Sequence, residues 1–197
     1  MTRSRQTADW GSRAGLAKIV PSSVAVGSGS GSASALGTVT FTGASSVAIV
    51  GAFSSTYNNY EIKISLTAVT ADAIGYIKLR SGATDASGTD YYYALNGLNN
   101  GGVGANVNGG AVSTGLRWTT IDGGTQGFYG STIFLYNPFL TMPTTANILS
   151  NGVQQDATAF LFYSGGGNHT LGISYDGINI IASAGTMTGT VSVLGYN

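Results

Sequence analysis

His169, the single histidine of the chain, is the first residue to consider for catalysis. A serine nucleophile at neutral pH needs an imidazole held rigidly beside it by a third group. His169 follows the glycine-rich residues 164–168, a pattern that predicts an exposed turn. No serine stands in the Gly-x-Ser-x-Gly context of a nucleophile elbow. The sequence therefore predicts no Ser-His-Asp chemistry.

Paired carboxylates are the second arrangement that could do hydrolytic chemistry. Glycoside hydrolysis needs two of them at a defined separation, one with a raised pKa. Most of the aspartates stand in turn-forming sequence, where they act as turn residues: Asp72, Asp85, Asp90, Asp122, Asp156 and Asp176. The sequence predicts a protein that is not an enzyme, although an acid pair shared between subunits stays open.

Metal, cofactor and phosphate sites lack their usual residues. The chain has no cysteine, one histidine and no acidic loop of EF-hand spacing. Its glycine runs lack the Lys-Ser/Thr ending or the following helix of a phosphate-binding loop. The few basic residues of the body are scattered, which disfavours nucleic acid. We expect no metal, no cofactor and no nucleic acid.

The aromatic residues offer a binding chemistry instead. Tyr91, Tyr92 and Tyr93 are consecutive, so in a strand neighbouring rings point to opposite faces and at least one is exposed. With Trp118 they could present flat amphipathic surfaces to a sugar or a protein. The alternative is that these rings belong to the core or to subunit contacts.

The elements that would position these residues are strands. Residues 60–67 alternate apolar and polar side chains with the period of a half-buried antiparallel strand. Further strands are predicted at 38–41, 47–50, 75–80, 91–95, 116–121, 130–136, 159–163, 170–175, 178–181 and 188–196. We predict an all-β fold, an antiparallel, jelly-roll-like β-sandwich.

Three connections between these strands are predicted from turn chemistry. Residues 96–110 are rich in glycine and asparagine and predict a mobile surface loop. Residues 137–152 hold two of the three prolines and predict a crossing between sheets. Asp176-Gly177 is the strongest hairpin signal in the chain.

The charge is unevenly distributed, although the net charge of the 197 residues is zero. The first eighteen residues carry +3 and the remainder −3. We predict an N-terminal arm at 1–19, extended or with a short helix, a Gly/Ser-rich flexible linker at 20–37 and a β-sandwich domain at 38–197. No signal peptide and no membrane-spanning segment is predicted. A basic arm on a weakly acidic body indicates a partner for the arm.

Residues 22–62 and 175–197, together with the basic opening that contains Arg3, Arg5, Asp9 and Trp10, resemble virion surface proteins of tailed bacteriophages. These are tail fibre, minor tail and head decoration proteins. The likeness covers roughly half of the chain. It implies a homotrimer on the virion surface, made in the host cytoplasm, with an arm that anchors it to other virion proteins of the capsid or tail. The arm residues would be Arg3, Arg5, Asp9, Trp10 and Arg13.

The function that this resemblance implies is a surface knob or short fibre that adheres to a host glycan or protein. A capsid decoration protein that mainly stabilises the head is an alternative. A polysaccharide depolymerase with an acid pair between subunits is a third.

Overall fold

The computed structural model describes residues 16–99, 104–121, 123, 128–153 and 160–197. These residues contain sixteen strands and no helix. The strands are β1 (Ala17–Lys18), β2 (Ser23–Val26), β3 (Ser30–Ala33), β4 (Thr38–Ala44), β5 (Ser46–Val50), β6 (Asn59–Val69), β7 (Ala73–Ser81), β8 (Thr84–Asp85), β9 (Tyr91–Asn99), β10 (Gly104–Val112), β11 (Leu116–Ile121), β12 (Phe128–Tyr136), β13 (Thr144–Val153), β14 (Phe160–His169), β15 (Gly177–Ala182) and β16 (Met187–Tyr196).

Two antiparallel sheets pack against each other. The large sheet has the order β10-β9-β14-β13-β12-β6-β16-β4-β3, and β1 also pairs with β16. The small sheet has the order β11-β7-β15-β5-β2, and β8 pairs with β7. The buried apolar side chains of both sheets form one core. The all-β antiparallel sandwich predicted from the sequence is confirmed.

Strand β6 lies in the middle of the large sheet, between β12 and β16. Its alternating side chains behave as the sequence predicts, because Tyr60, Ile62, Ile64 and Leu66 are buried against the small sheet. Full burial of one such aliphatic side chain contributes roughly 1.5–3 kcal/mol. The intervening residues of β6 face outward, and this outward side of the large sheet is called the outer face below.

The segment predicted as a linker, 20–37, belongs instead to the sandwich. Ser23–Val26 pairs with β5, and Ser30–Ala33 pairs with β4. Glycine permits this close approach, since a Cβ at Gly31 would lie 2.7 Å from Val26. The last residues of the predicted arm are also in the sheet, because Ala17 pairs with Gly195 and the Ile19 amide donates to the Val193 carbonyl. The two ends of the described chain therefore lie side by side.

Two predicted connections contain strands. The predicted loop at 96–110 includes the end of β9 and most of β10, which pair with each other at the edge of the large sheet. The predicted crossing at 137–152 includes β13, whose ten residues alternate buried and exposed side chains. Both strands are rich in asparagine, threonine or glycine, so composition conceals their extended conformation.

Around His169 the predicted turn and the predicted strand are exchanged. The glycines predicted to form a turn continue β14 as far as His169, and residues 170–175, predicted as a strand, are irregular. A Cβ at Gly165 would lie 2.1 Å from the Ala94 carbonyl oxygen, so the glycines serve close strand packing.

Asp176-Gly177 does not form a hairpin. It carries the chain from β14 in the large sheet to β15 in the small sheet. The Asp176 carboxylate accepts a hydrogen bond from the Gly82 amide at 2.8 Å. A Cβ at Gly177 would lie 2.2 Å from the Ile49 carbonyl oxygen. The aspartate therefore joins two loops, and the glycine allows two strands to approach.

Candidate binding groove on the outer face of the large sheet

The outer face carries a groove with a volume of about 400 Å³. Its side chains come from β12, β13 and β16, and the backbone of β14 closes one side. We call it the tyrosine groove. Its lining side chains that face outward are Phe134, Tyr136, Asn147, Leu149 and Tyr196. The groove lies within the size range of sites for small organic ligands.

Strand order places the two tyrosines together. Tyr136 on β12 and Tyr196 on β16 both pair with Asn59 on β6, so all three share one row across the sheet. In the next row, Phe134 pairs with Asn147 on β13 and with Glu61 on β6. Paired residues of neighbouring strands project to the same side, which brings these rings and amides to one surface.

Polar contacts hold the tyrosine groove in a defined arrangement. The Asn147 Nδ2 atom donates a hydrogen bond to the Tyr136 hydroxyl at 3.2 Å. Burial raises the pKa of Tyr196, and the neighbouring Tyr136 hydroxyl and Glu61 carboxylate raise it further. The Tyr196 hydroxyl is therefore neutral at physiological pH and can donate or accept hydrogen bonds.

A second groove, of about 470 Å³, adjoins the first along the outer face. We call it the lysine groove. It shares Leu149 with the tyrosine groove, and its other outward side chains include Lys63, Thr132, Asn151 and Phe162. The Lys63 ammonium pairs with the Glu61 carboxylate at 3.3 Å. Lys63 is the only charged residue among the described residues that line the two grooves.

An exposed apolar patch occupies one corner of the outer face. Val153 pairs with both Phe128 and Phe160, and Phe162 pairs with Leu98 in the adjacent row. Phe128, Phe160 and Leu98 are each about half exposed. We call these five residues the apolar corner. Tyr136 is eight positions after Phe128 on β12, roughly 27 Å at about 3.4 Å per residue, so the corner and the tyrosine groove lie at opposite ends of the face.

The four aromatic residues predicted as possible ligand contacts do not form one surface. Tyr91 and Trp118 are fully buried, so the prediction that they could contact a ligand is wrong. Trp118 fits against Gly75, where a Cβ would lie 2.5 Å from the indole. Tyr93 is half-buried and faces inward on the same side of β9 as Tyr91. Tyr92 is 42% exposed on the outer face, three strands away from Tyr136.

His169 is buried and not in an exposed turn. Its Nδ1 atom lies 3.3 Å from the Tyr175 hydroxyl, its ring contacts Tyr91 edge-on, and its Nε2 atom has no hydrogen-bond partner among the described residues. Burial lowers the pKa of His169. The imidazole is therefore part of a buried cluster with Tyr91 and Tyr175.

The predicted anchoring residues Arg3, Arg5, Asp9, Trp10 and Arg13 lie outside the described residues. Within the described residues, no group of three or more His, Cys, Asp or Glu side chains could hold a metal ion. In the same part of the chain, no helix has the length and hydropathy needed to cross a membrane.

The sequence patterns do not identify the residues of the two grooves. Phe134, Tyr136 and Asn147 belong to two consecutive strands, whereas Tyr196 is distant in the chain, and only the strand order makes it their neighbour. The sequence signal that could have indicated the grooves is Leu149. It stands two residues from both Asn147 and Asn151, so in a strand it shares their exposed face. No protein-family model matches the chain, and no curated protein matches it.

Proposed function

We propose that the protein is a structural component of a bacteriophage virion. In this proposal it is a trimeric surface knob or short fibre, its N-terminal arm docks on other virion proteins, and its sandwich adheres to the host surface. The observation that carries the proposal is that β1 and the apolar corner lie at opposite ends of the outer face. Strand β1, which follows the arm in the sequence, pairs beside the C-terminus at the end of the face that carries the tyrosine groove. The lysine groove lies nearer the apolar corner and shares Phe162 with it.

The arm supplies the attachment. The first eighteen residues carry a net charge of +3, and Arg3, Arg5 and Arg13 precede the first residue of the sheet, Ala17. A basic segment joined to a weakly acidic body favours an acidic protein surface as its partner. Trp10 would add one buried ring to that contact.

The apolar corner supplies the trimer contact. Exposed phenylalanines and leucines that cluster on one surface mark an interaction site more often than single exposed apolar residues do. The chain has only 8% charged residues, so identical copies repel each other weakly. In a cyclic trimer the corner of one copy would meet a neighbouring copy and be removed from water.

The experiment that tests the proposal is a particle-binding assay. The full chain is compared with a chain that lacks residues 1–15, which leaves every described strand intact. Purified capsids and purified tails of the phage are the two baits. We expect the full chain to bind one bait and the truncated chain to bind neither. A decoration protein would bind capsids and not tails. Equal binding of the full and truncated chains, or binding to neither bait, would refute the anchoring role.

Charge-reversal variants test whether the arm, and not the net charge of the protein, governs binding. Arg3→Glu reverses one charge in the arm, whereas Lys78→Glu reverses one charge on β7 of the body. We expect the arm variant to lose particle binding and the body variant to retain it. An equal loss in both variants would show that general charge and not the arm governs binding.

A further inference from the structure

The tyrosine groove presents a specific set of functional groups. Phe134, Tyr136 and Tyr196 offer ring surface, and the Tyr136 hydroxyl and the Asn147 amide offer hydrogen-bonding groups within the same groove. An amide side chain has two donors and an acceptor with two lone pairs. Within the described residues, Asn147 uses only one of these donors and acceptors, in the hydrogen bond from Nδ2 to the Tyr136 hydroxyl. The groove therefore combines apolar faces with unused donors and acceptors.

The charge of the grooves narrows the choice of ligand. Lys63 is paired with Glu61, so neither groove presents an unbalanced cation to a phosphate or sulfate. An extended peptide that adds a strand needs an unpaired sheet edge. The strands β13, β12, β6 and β16 that floor the grooves each have neighbours on both sides. A purely apolar ligand would leave the Asn147 amide without its water.

We propose that the tyrosine groove binds a neutral oligosaccharide, with the lysine groove as the adjoining subsite. This rests on the proposed adhesion function and names its ligand class. Sugar rings have one apolar C–H face, which packs on an aromatic ring, and hydroxyls around the edge, which suit amides and phenols. The two grooves share Leu149, so one chain of sugar units can run from the first into the second.

Each groove residue then has a role. Tyr136 and Tyr196 lie in one row with Asn59 between them, so their backbones are two strand separations apart, roughly 10 Å, while their hydroxyl groups interact with each other above Asn59. The two tyrosines therefore form one aromatic wall of the groove, against which the apolar face of a sugar unit can pack. Asn147 lies on the other side of Tyr136 and would contact the sugar hydroxyls. Thr132 and Asn151 would do the same in the lysine groove.

The test uses the full chain and an array of neutral bacterial surface oligosaccharides, followed by calorimetry with the oligosaccharide that binds best. Tyr196→Ala and Asn147→Leu alter the tyrosine groove. Tyr92→Ala is the matched control, because it removes an exposed tyrosine from the same face outside both grooves. We expect both groove variants to weaken binding at least tenfold and the control to change it less than twofold. Asn147 is an exposed side chain, so this variant remains informative if Tyr196→Ala fails to fold.

Two results would overturn the inference. One is that no neutral oligosaccharide binds the full chain. The other is that the groove variants bind as well as the control, or instead change the oligomeric state, which would make the groove a subunit contact. These results leave the particle-binding assay untouched. Conversely, loss of sugar binding in the groove variants of a protein that binds no particle would refute the virion role and retain the groove.

Discussion

The Tyr175 hydroxyl lies 3.3 Å from the Nδ1 atom of His169, and both side chains are buried between the sheets. The Tyr91 ring also contacts His169, and the centroids of the two rings are 4.5 Å apart. The Asp90 carboxylate is the nearby charge that favours a proton on the imidazole, but burial outweighs it. A protonated His169 would therefore be a buried cation with one nitrogen that has no partner.

This arrangement predicts that stability falls in mild acid. Burial lowers the pKa of His169 in the folded protein below its ordinary value of about 6.5. Neutral His169 makes its full contribution to the free energy of unfolding above about pH 6.5. That contribution decreases as the pH falls below about 6.5, because the unfolded chain then binds a proton that the native protein does not. Uptake of this one proton can lower the free energy of unfolding by at most about 1.4 kcal/mol for each pH unit. Urea unfolding from pH 8 to pH 5 would measure it.

His169→Gln provides the control for this prediction. The chain has no other histidine, so the component of the pH dependence between pH 7 and pH 5 that disappears in this variant belongs to His169. Parallel stability curves for the variant and the original protein would contradict the prediction.

The ion pair between Arg80 and Asp85 leads to a second prediction. Both side chains are largely buried, and the Asn179 Nδ2 atom donates to the second Asp85 oxygen at 2.8 Å. Asp85→Ala leaves the Arg80 guanidinium buried without its partner, so we expect a loss of about 3 kcal/mol in the free energy of unfolding. Chemical denaturation would measure this loss.

Lys63→Ala is the matched comparison, because it breaks the Glu61–Lys63 pair, whose lysine side chain is 56% exposed. We expect that substitution to cost less than about 1 kcal/mol. An equal loss in the free energy of unfolding in the two variants would show that burial does not make the Arg80–Asp85 pair more important than the Lys63–Glu61 pair.

Much of the fold follows from residue patterns, and the exceptions have physical reasons. Residues 60–67 form part of a strand because apolar side chains at every second residue can all be buried on one face of a sheet. Strands β10 and β13 escaped prediction because their exposed positions hold asparagine or leucine and their composition favours turns. The glycines before His169 indicated a turn, whereas their function is to let β14 approach β9.

Less of the candidate site than of the fold could be predicted from the sequence. Alternation correctly placed Tyr91 and Tyr92 on opposite faces of β9. It could not show which face is covered, because that depends on the packing of the second sheet. The tyrosine groove depends on β12, β6 and β16 being neighbours, and pairing of strands so distant in the chain leaves no local signal.

Gly75 gives a third prediction, which concerns core packing. A Cβ at Gly75 would lie 2.5 Å from the buried indole of Trp118, an overlap that the core cannot absorb without moving the ring. We expect Gly75→Ala to destabilise the protein by roughly 1–3 kcal/mol. Thermal unfolding is the measurement. In Gly110→Ala the new Cβ would lie 3.5 Å from the Tyr92 ring, an ordinary contact, so a comparable loss there would show that the indole overlap is not the cause.

The apolar corner gives the last prediction, which tests the proposed trimer. Phe128→Lys combined with Phe160→Lys places two charges beside Val153, where a neighbouring copy would have to bury them. We expect the double variant to sediment as a folded monomer at concentrations where the original protein sediments as a trimer. Leu36→Lys is the control, because Leu36 is 78% exposed in the turn between β3 and β4, outside the corner. A trimer that persists in the double variant would exclude the corner as the subunit contact, and an original protein that sediments as a monomer throughout would exclude the trimer itself.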